Sequence, residues 1–187
     1  MNTSKYKFLF ILIPTFFILA SCGDDDPVIP VEEEVITTLN YTLTPVSGGD
    51  VVVLTFQDLD GDGGNAPTIS GGILSTNTIY QGSIELLNES EMPVEDITEE
   101  IRTEDLEHQF FFNSTVNGLS VTYSDTDPNG NPVGLTNSIT TTDAASGTLT
   151  VILRHQPDKS ASGVKEGDIT NAGGETDIEV QFDINVQ

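Results

Sequence analysis

The chain has 187 residues, with 30 Asp and Glu against 6 Lys and Arg, and a formal net charge of −24 at pH 7. So acidic a surface repels phosphate backbones, which excludes nucleic acid as a partner. Behind an N-terminal leader, the length suits one domain of about 150 residues. The single cysteine, Cys22, excludes an intramolecular disulfide.

Residues 1–21 have the organisation of an export signal. Lys5 and Lys7 supply positive charge, and the apolar run 8–20 follows them. A helix that spans a bilayer needs roughly 20 apolar residues, so this run is too short to remain as a membrane anchor. The pattern therefore predicts a signal peptide that is removed.

The residues around the end of that run, Leu19-Ala20-Ser21-Cys22, resemble the lipobox of bacterial lipoproteins. The resemblance implies cleavage before Cys22, a diacylglycerol on its thiol and an N-acyl chain on its new amino group. Several acyl chains bury enough CH₂ groups for stable membrane attachment. The alternative is an incidental cysteine beside an ordinary cleavage site.

Residues 22–34 are predicted to form an acidic, disordered tether. Three aspartates follow Cys22, and two prolines and three glutamates follow those. Like charges and prolines keep such a segment extended, with a reach of up to roughly 37 Å at about 3.1 Å per residue. The acidic run also resembles the surface-export signal of Bacteroidota lipoproteins, which implies an outer-membrane protein facing the cell exterior. A periplasmic location is the alternative.

Residues 35–187 alternate apolar and polar side chains with the period of two that is typical of β-strands. Turn residues separate about eight predicted strands, within 39–43, 51–56, 80–86, 110–112, 119–123, 135–139, 149–153 and 178–186. The nearly continuous apolar run 51–56 predicts a strand buried on both faces. Without βαβ alternation, the pattern predicts an all-β fold, a single antiparallel β-sandwich domain.

One segment departs from this pattern. Residues 89–107 carry nine acids against a single basic residue, Arg102. Val94, Ile97 and Ile101 recur at helical spacing, which predicts one short acidic helix. A solvated loop or an edge strand is the alternative.

Four stretches resemble a group of small flavobacterial lipoproteins: Val35-Ile36-Thr37-Thr38, Asp58-Leu59-Asp60-Gly61-Asp62-Gly63, Glu107-His108-Gln109-Phe110-Phe111-Phe112 and Gly173-Gly174-Glu175-Thr176-Asp177. Some such chains are labelled as type 1 periplasmic-binding folds. That fold needs two α/β lobes and usually about 250 residues or more. The length and the strand pattern of this chain contradict the label.

Two loops that follow strands share an Asp-x-Asp-x-Asp/Asn-Gly spacing, with candidate Ca²⁺ ligands at Asp58, Asp60 and Asp62 and, more weakly, at Asp125, Asp127 and Asn129. Alternate oxygens on a loop that turns at a glycine can converge on Ca²⁺. Ile69 and Thr136 stand where an EF-hand places its bidentate glutamate, so neither loop is an EF-hand. An ordinary turn, which uses the same residue types, is the alternative.

His108 and His155 are the two histidines of the chain, and each lies on an otherwise apolar strand face. One begins its predicted strand and the other ends its own, so two adjacent antiparallel strands would bring both rings to one rim of the core. With Glu107 or another carboxylate they could bind Zn²⁺ or Cu²⁺. The alternative is a pair of rim histidines satisfied by backbone or acidic groups.

The sequence lacks a Gly-x-Ser-x-Gly elbow, a His-x-x-x-His pair, a P-loop and tryptophan, which argues against an enzyme. We therefore predict a lipid-anchored, non-enzymatic binding or accessory module, with an outer-membrane transporter as a candidate partner. A lipoprotein that captures a transition metal through His108 and His155 is the alternative, and a secreted hydrolase is a distant third.

Overall fold

A computed structural model describes residues 34–61 and 63–187. The predicted signal peptide, Cys22 and all of the predicted tether except Glu34 lie outside the described residues, as does Asp62. No helix in the described part of the chain has the length and apolar character to cross a membrane.

The described residues form eleven strands, one α-helix and two 3₁₀ helices. The strands are β1 (Thr38–Pro45), β2 (Val52–Gln57), β3 (Thr68–Ser70), β4 (Gly72–Leu74), β5 (Ile79–Asn88), β6 (Glu95–Asp96), β7 (His108–Ser114), β8 (Leu119–Tyr123), β9 (Thr136–Thr141), β10 (Ala145–His155) and β11 (Glu175–Val186). The helix α1 covers Ile97–Thr103, and the 3₁₀ helices cover Val164–Glu166 and Ile169–Asn171.

These strands make two sheets. A seven-stranded sheet has the order β3-β2-β1-β5-β9-β8, with β6 paired to β5, and a four-stranded sheet has the order β4-β11-β10-β7. Every pairing is antiparallel except that of β4 with β11. The all-β sandwich is thus confirmed. The strand count exceeds the predicted eight because β3, β4 and β6 are too short to show a period.

The core lies between the two sheets and contains residues of both. On β11 every second residue faces inward, as predicted: Ile178, Val180, Phe182, Ile184 and Val186 are buried. On β1 the same alternation buries Leu39, Tyr41 and Leu43. Because successive side chains of a strand point to opposite faces, the polar residues between them meet solvent.

The predicted two-sided burial of 51–56 is wrong. On β2 Leu54 is fully buried, but Val53 on the opposite face is 45% exposed. The strand lies near the edge of its sheet, next to the three-residue β3, and its outer face meets solvent. β7 and β10 are the strands with buried residues on both faces, because Phe111 and Ile152 pack outside the main core against Val164 and Ala172.

The short helix predicted within 89–107 is confirmed by α1. Asp96 caps it, because its carboxylate accepts a hydrogen bond from the Thr98 amide. Ile97 and Ile101 are buried in the core as the spacing predicts. Val94 precedes the helix and is exposed, so the apolar face is shorter than predicted.

A buried polar pair connects two strands that are not neighbours. The Tyr41 hydroxyl on β1 donates a 2.5 Å hydrogen bond to Asn137 Oδ1 on β9. The pair reaches across Gly82 of β5, where a Cβ would lie 2.1 Å from Asn137 Oδ1. Burial raises the pKa of Tyr41 far above its ordinary value, so the hydroxyl remains a donor.

Tyr41→Phe should lower the free energy of unfolding by about 1–3 kcal/mol, because it leaves Asn137 Oδ1 buried without its donor. Urea unfolding measures the loss. Tyr123→Phe is the matched control: its hydroxyl donates to the Phe110 carbonyl in a half-buried setting, so the loss there should be about 1 kcal/mol or less. Equal losses in both variants would contradict the assigned importance of the Tyr41 pair.

Candidate metal centre

Four side chains converge at one rim of the sandwich: Glu34, His108, His155 and Asp177. Each offers one ligand atom, and these atoms all lie within 4.8 Å of one another. The four side chains are between 0% and 8% exposed. Within the described residues this is the one group of three or more His, Cys, Asp or Glu side chains with such spacing.

Strand register brings the two histidines together. β7 begins at His108, β10 ends at His155, and the antiparallel pairing sets these residues directly opposite each other. Their rings stack with centroids 4.6 Å apart and an interplanar angle of 29°. The sequence predicted that both rings would lie at one rim of the core if their strands were adjacent and antiparallel. The structure confirms this arrangement of the two imidazoles.

Asp177 reaches the cluster through a β-bulge. Leu153 pairs with Ile178 on β11, but Arg154 pairs with Thr176, so Asp177 is the extra residue between them. Bulges re-aim side chains. By simple alternation Asp177 would lie on the polar outer face with Glu179, and sequence analysis missed it for that reason.

Glu34 comes from the segment that leads into β1, in the opposite sheet. Its Oε1 lies 3.0 Å from His108 Nε2, and its side chain is 4% exposed. The predicted tether of 22–34 therefore extends one residue too far, because Glu34 packs on the domain. Nothing in the triplet Glu32-Glu33-Glu34 distinguishes the last residue in sequence, so the pattern gave no signal for this contact.

A backbone carbonyl sets the tautomer of His108. Its Nδ1 lies 3.1 Å from the Glu104 carbonyl oxygen, which can only accept, so Nδ1 carries the proton and donates. Nε2 is then the ring nitrogen that faces the cluster, 3.0 Å from Glu34 Oε1, and the one that could coordinate an ion there. Metal-bound histidines usually hold their second nitrogen in this way.

Hydrogen bonds among the described residues do not satisfy every atom of the cluster. His155 Nδ1 and Glu34 Oε2 are buried without a hydrogen-bond partner there. They face each other at 3.7 Å, beyond hydrogen-bond distance. The interpretation of two self-sufficient rim histidines thus accounts for His108 but leaves His155 unexplained.

The spacing fits a central ion better. The oxygens of Asp177 lie 3.8 Å from His108 Nε2 and 3.8 Å from His155 Nδ1. The Glu34 oxygens lie 3.0 Å from His108 Nε2 and 3.7 Å from His155 Nδ1. With one ligand atom taken from each residue, all four atoms lie within 4.8 Å of one another. Ligands at about 2.1 Å in a tetrahedron lie about 3.4 Å apart, so the most distant atoms would have to approach by at most about 1.4 Å to coordinate Zn²⁺.

Glu107, the carboxylate that the sequence suggested as a metal ligand beside the histidines, is not one of the four clustered residues. Its Oε2 lies 3.7 Å from His155 Nε2, on the side of the ring away from Glu34, and its side chain is 53% exposed. It also accepts a hydrogen bond from the Gln156 side chain. Glu107 is thus placed to orient the His155 ring rather than to coordinate an ion.

The first predicted Ca²⁺ loop is folded as an exposed turn in its described part. Asp58 Oδ1 accepts from the Gly61 amide. Asp60 Oδ2 accepts from the amide and side chain of Asn65, and these bonds lower the pKa of Asp60. With Asp62 outside the described residues, these contacts match the turn alternative, and Ca²⁺ binding stays a prediction.

In the second predicted Ca²⁺ loop, a lysine from elsewhere in the chain, Lys159, supplies the positive charge. Asp125 accepts from the amides of Gly134 and Thr136. Asp127 accepts from the amides of Asn129 and Asn131, and the Lys159 ammonium lies 3.3 Å from its Oδ2. A Ca²⁺ ion there would have to displace Lys159.

The ion pair in this loop is buried on both sides. Burial opposes ionisation of Asp127, but hydrogen bonds from Asn131 and Lys159 outweigh it and lower the pKa of Asp127 below its ordinary value of 3.8. Burial also lowers the pKa of Lys159, against the attraction of Asp127. The Asp127 carboxylate therefore stabilises the fold above its unfolded pKa, and this contribution is lost as the pH falls through the folded one.

Comparison with known proteins adds no functional assignment. No protein-family model, curated protein or solved structure matches the chain. The interpretation of the cluster therefore depends on its geometry and donor chemistry.

Lys159→Met should lower the free energy of unfolding by about 3 kcal/mol, because Asp127 loses the ammonium that faces it in a buried setting. Chemical denaturation at neutral pH measures this. Lys165→Met removes the same charge from an exposed position and should be close to neutral. If the two variants lost the same stability, Lys159 would not be the cation that holds this loop.

Proposed function

We propose that this chain is a membrane-anchored lipoprotein whose β-sandwich binds one transition-metal ion through His108, His155, Glu34 and Asp177. The observation that carries the proposal is the burial of four convergent donors, two imidazoles and two carboxylates, whose ligand atoms all lie within 4.8 Å of one another. His155 Nδ1 and Glu34 Oε2 have no hydrogen-bond partner in the described structure. Both would be satisfied by coordinating the metal.

The donor set selects the class of metal. Two imidazole nitrogens with two carboxylates favour Zn²⁺ or Cu²⁺, whereas Ca²⁺ takes six to eight oxygens. In a tetrahedral set the four protein ligands leave no open position for water or substrate. Such closed sites are typical of structural or storage metals rather than of catalytic ones.

The surroundings support capture of cations from outside the cell. The net charge of −24 creates a negative potential that concentrates cations near the surface. Under this proposal the lipid on Cys22 and the acidic tether hold the domain at the outer membrane, facing the exterior. An adjacent outer-membrane transporter is the partner that such a module would serve.

The processed protein should bind one Zn²⁺ or Cu²⁺ per chain. Either His108→Ala or His155→Ala should abolish stoichiometric binding, because each variant leaves one imidazole and two carboxylates and so removes one of the two nitrogen donors that favour these metals. Calorimetry and elemental analysis measure the stoichiometry. At metal concentrations of 100 times Kd, the wild type should gain about 2.7 kcal/mol of stability over its EDTA-treated form.

Glu107→Gln is the control for that experiment. It changes an acid beside His155 without removing one of the four proposed ligands, so stoichiometry should stay at one and affinity should fall by about 10-fold to 100-fold at most. A wild type that binds no metal would refute the proposed function.

Cys22→Ala should abolish membrane attachment, because the proposed lipid is the anchor and the variant has no thiol to carry it. Partitioning between detergent and aqueous phases measures attachment, with the wild type as reference. A variant that still enters the detergent phase would show that something other than Cys22 attaches the chain.

A further inference from the structure

We infer that the metal also fastens the N-terminal entry of the domain, so that metal occupancy controls whether the segment 34–36 is held on the sandwich or released. This regulation rests on the proposed function, since it requires that the cluster bind an ion. It goes further because it assigns Glu34 a role that the other three ligands do not have.

The four ligands come from both sheets. His108, His155 and Asp177 lie on β7, β10 and β11, adjacent strands of the four-stranded sheet. Glu34 instead precedes β1, an inner strand of the seven-stranded sheet. An ion bound by all four therefore joins the entry segment to the rim of the opposite sheet.

The segment has few other attachments in the described structure. Backbone pairing to β5 begins at Thr37, whose amide donates to the Leu87 carbonyl. Val35 is 57% exposed, and Ile36 is half-buried against the core. The residues ahead of Thr37 are thus held by the side chain of Glu34 at the cluster and by Ile36 against the core.

The charges at the cluster weaken the hold on Glu34 when no metal is bound. Its Oε1 then keeps the 3.0 Å contact with His108 Nε2. Glu34 and Asp177, however, place two carboxylates in one buried cluster, and burying like charges together is costly. Asp177 is fixed within the β10–β11 ladder. Glu34 can leave by rotation of a few backbone dihedrals, so removal of the metal frees the entry segment first.

Hydrogen exchange measured by mass spectrometry tests this on the processed lipoprotein in detergent, with Zn²⁺ or with EDTA. Amides of 34–36 should exchange about 10-fold to 100-fold more slowly at Zn²⁺ concentrations of 10 to 100 times Kd, because opening must then release the ion. The exposed loop 91–94 serves as the internal reference, and its exchange should not change.

Glu34→Gln and Asp177→Asn form a matched pair, since each removes one carboxylate from the same site. At saturating Zn²⁺, confirmed by calorimetry, Asp177→Asn should keep the slow exchange of 34–36 and Glu34→Gln should lose it. Circular dichroism checks that both variants keep their strands. If Glu34→Gln binds no metal at all, the wild type decides: slower exchange of 34–36 with Zn²⁺ than with EDTA supports the inference, and equal exchange overturns it.

The outcomes separate the two proposals. A wild type that binds no Zn²⁺ refutes the proposed function. A wild type that binds Zn²⁺ with unchanged exchange at 34–36 overturns this inference alone. So does a Glu34→Gln variant that binds Zn²⁺ and protects the segment as well as the wild type does.

Discussion

The pairing of β10 with its two neighbours is the constraint on which the candidate site depends. Its register with β7 sets His155 opposite His108, and the irregularity in its register with β11 places Asp177 at the same rim. Side chains opposite each other in an antiparallel pair are about 5 Å apart. A shift of one residue in either pairing would send these side chains to opposite faces and disperse the cluster.

The burial of its two carboxylates distinguishes the cluster at the rim from the other acidic groups of the chain. Acids are abundant in this chain, and on the surface a group of them carries little information. Glu34 and Asp177 differ because their side chains are at most 4% exposed and lie beside two imidazoles. In that setting a carboxylate needs a cation or a proton nearby, since desolvation disfavours the charged form.

The loop at Asp125 and Asp127 shows another way in which this fold stabilises buried carboxylates. There the chain supplies the cation itself, through Lys159, and backbone amides occupy the remaining carboxylate oxygens. The cluster at the rim has imidazoles where that loop has an ammonium and amides. Because of this contrast, we propose a metal ion for the cluster at the rim and not for the loop.

The sequence by itself determined the all-β class, the alternation of β1 and β11 and the location of both histidines at strand ends, because these depend on local periodicity. It left the short acidic helix open against a loop or an edge strand. Only the tertiary structure decided which carboxylates join the histidines. Asp177 enters through a bulge and Glu34 through a contact 74 residues distant from His108, and neither leaves a periodic trace. The exposed outer face of β2 was also decided by the tertiary structure, because each sheet of a sandwich packs one face on the core and local sequence does not show whether the other face is covered.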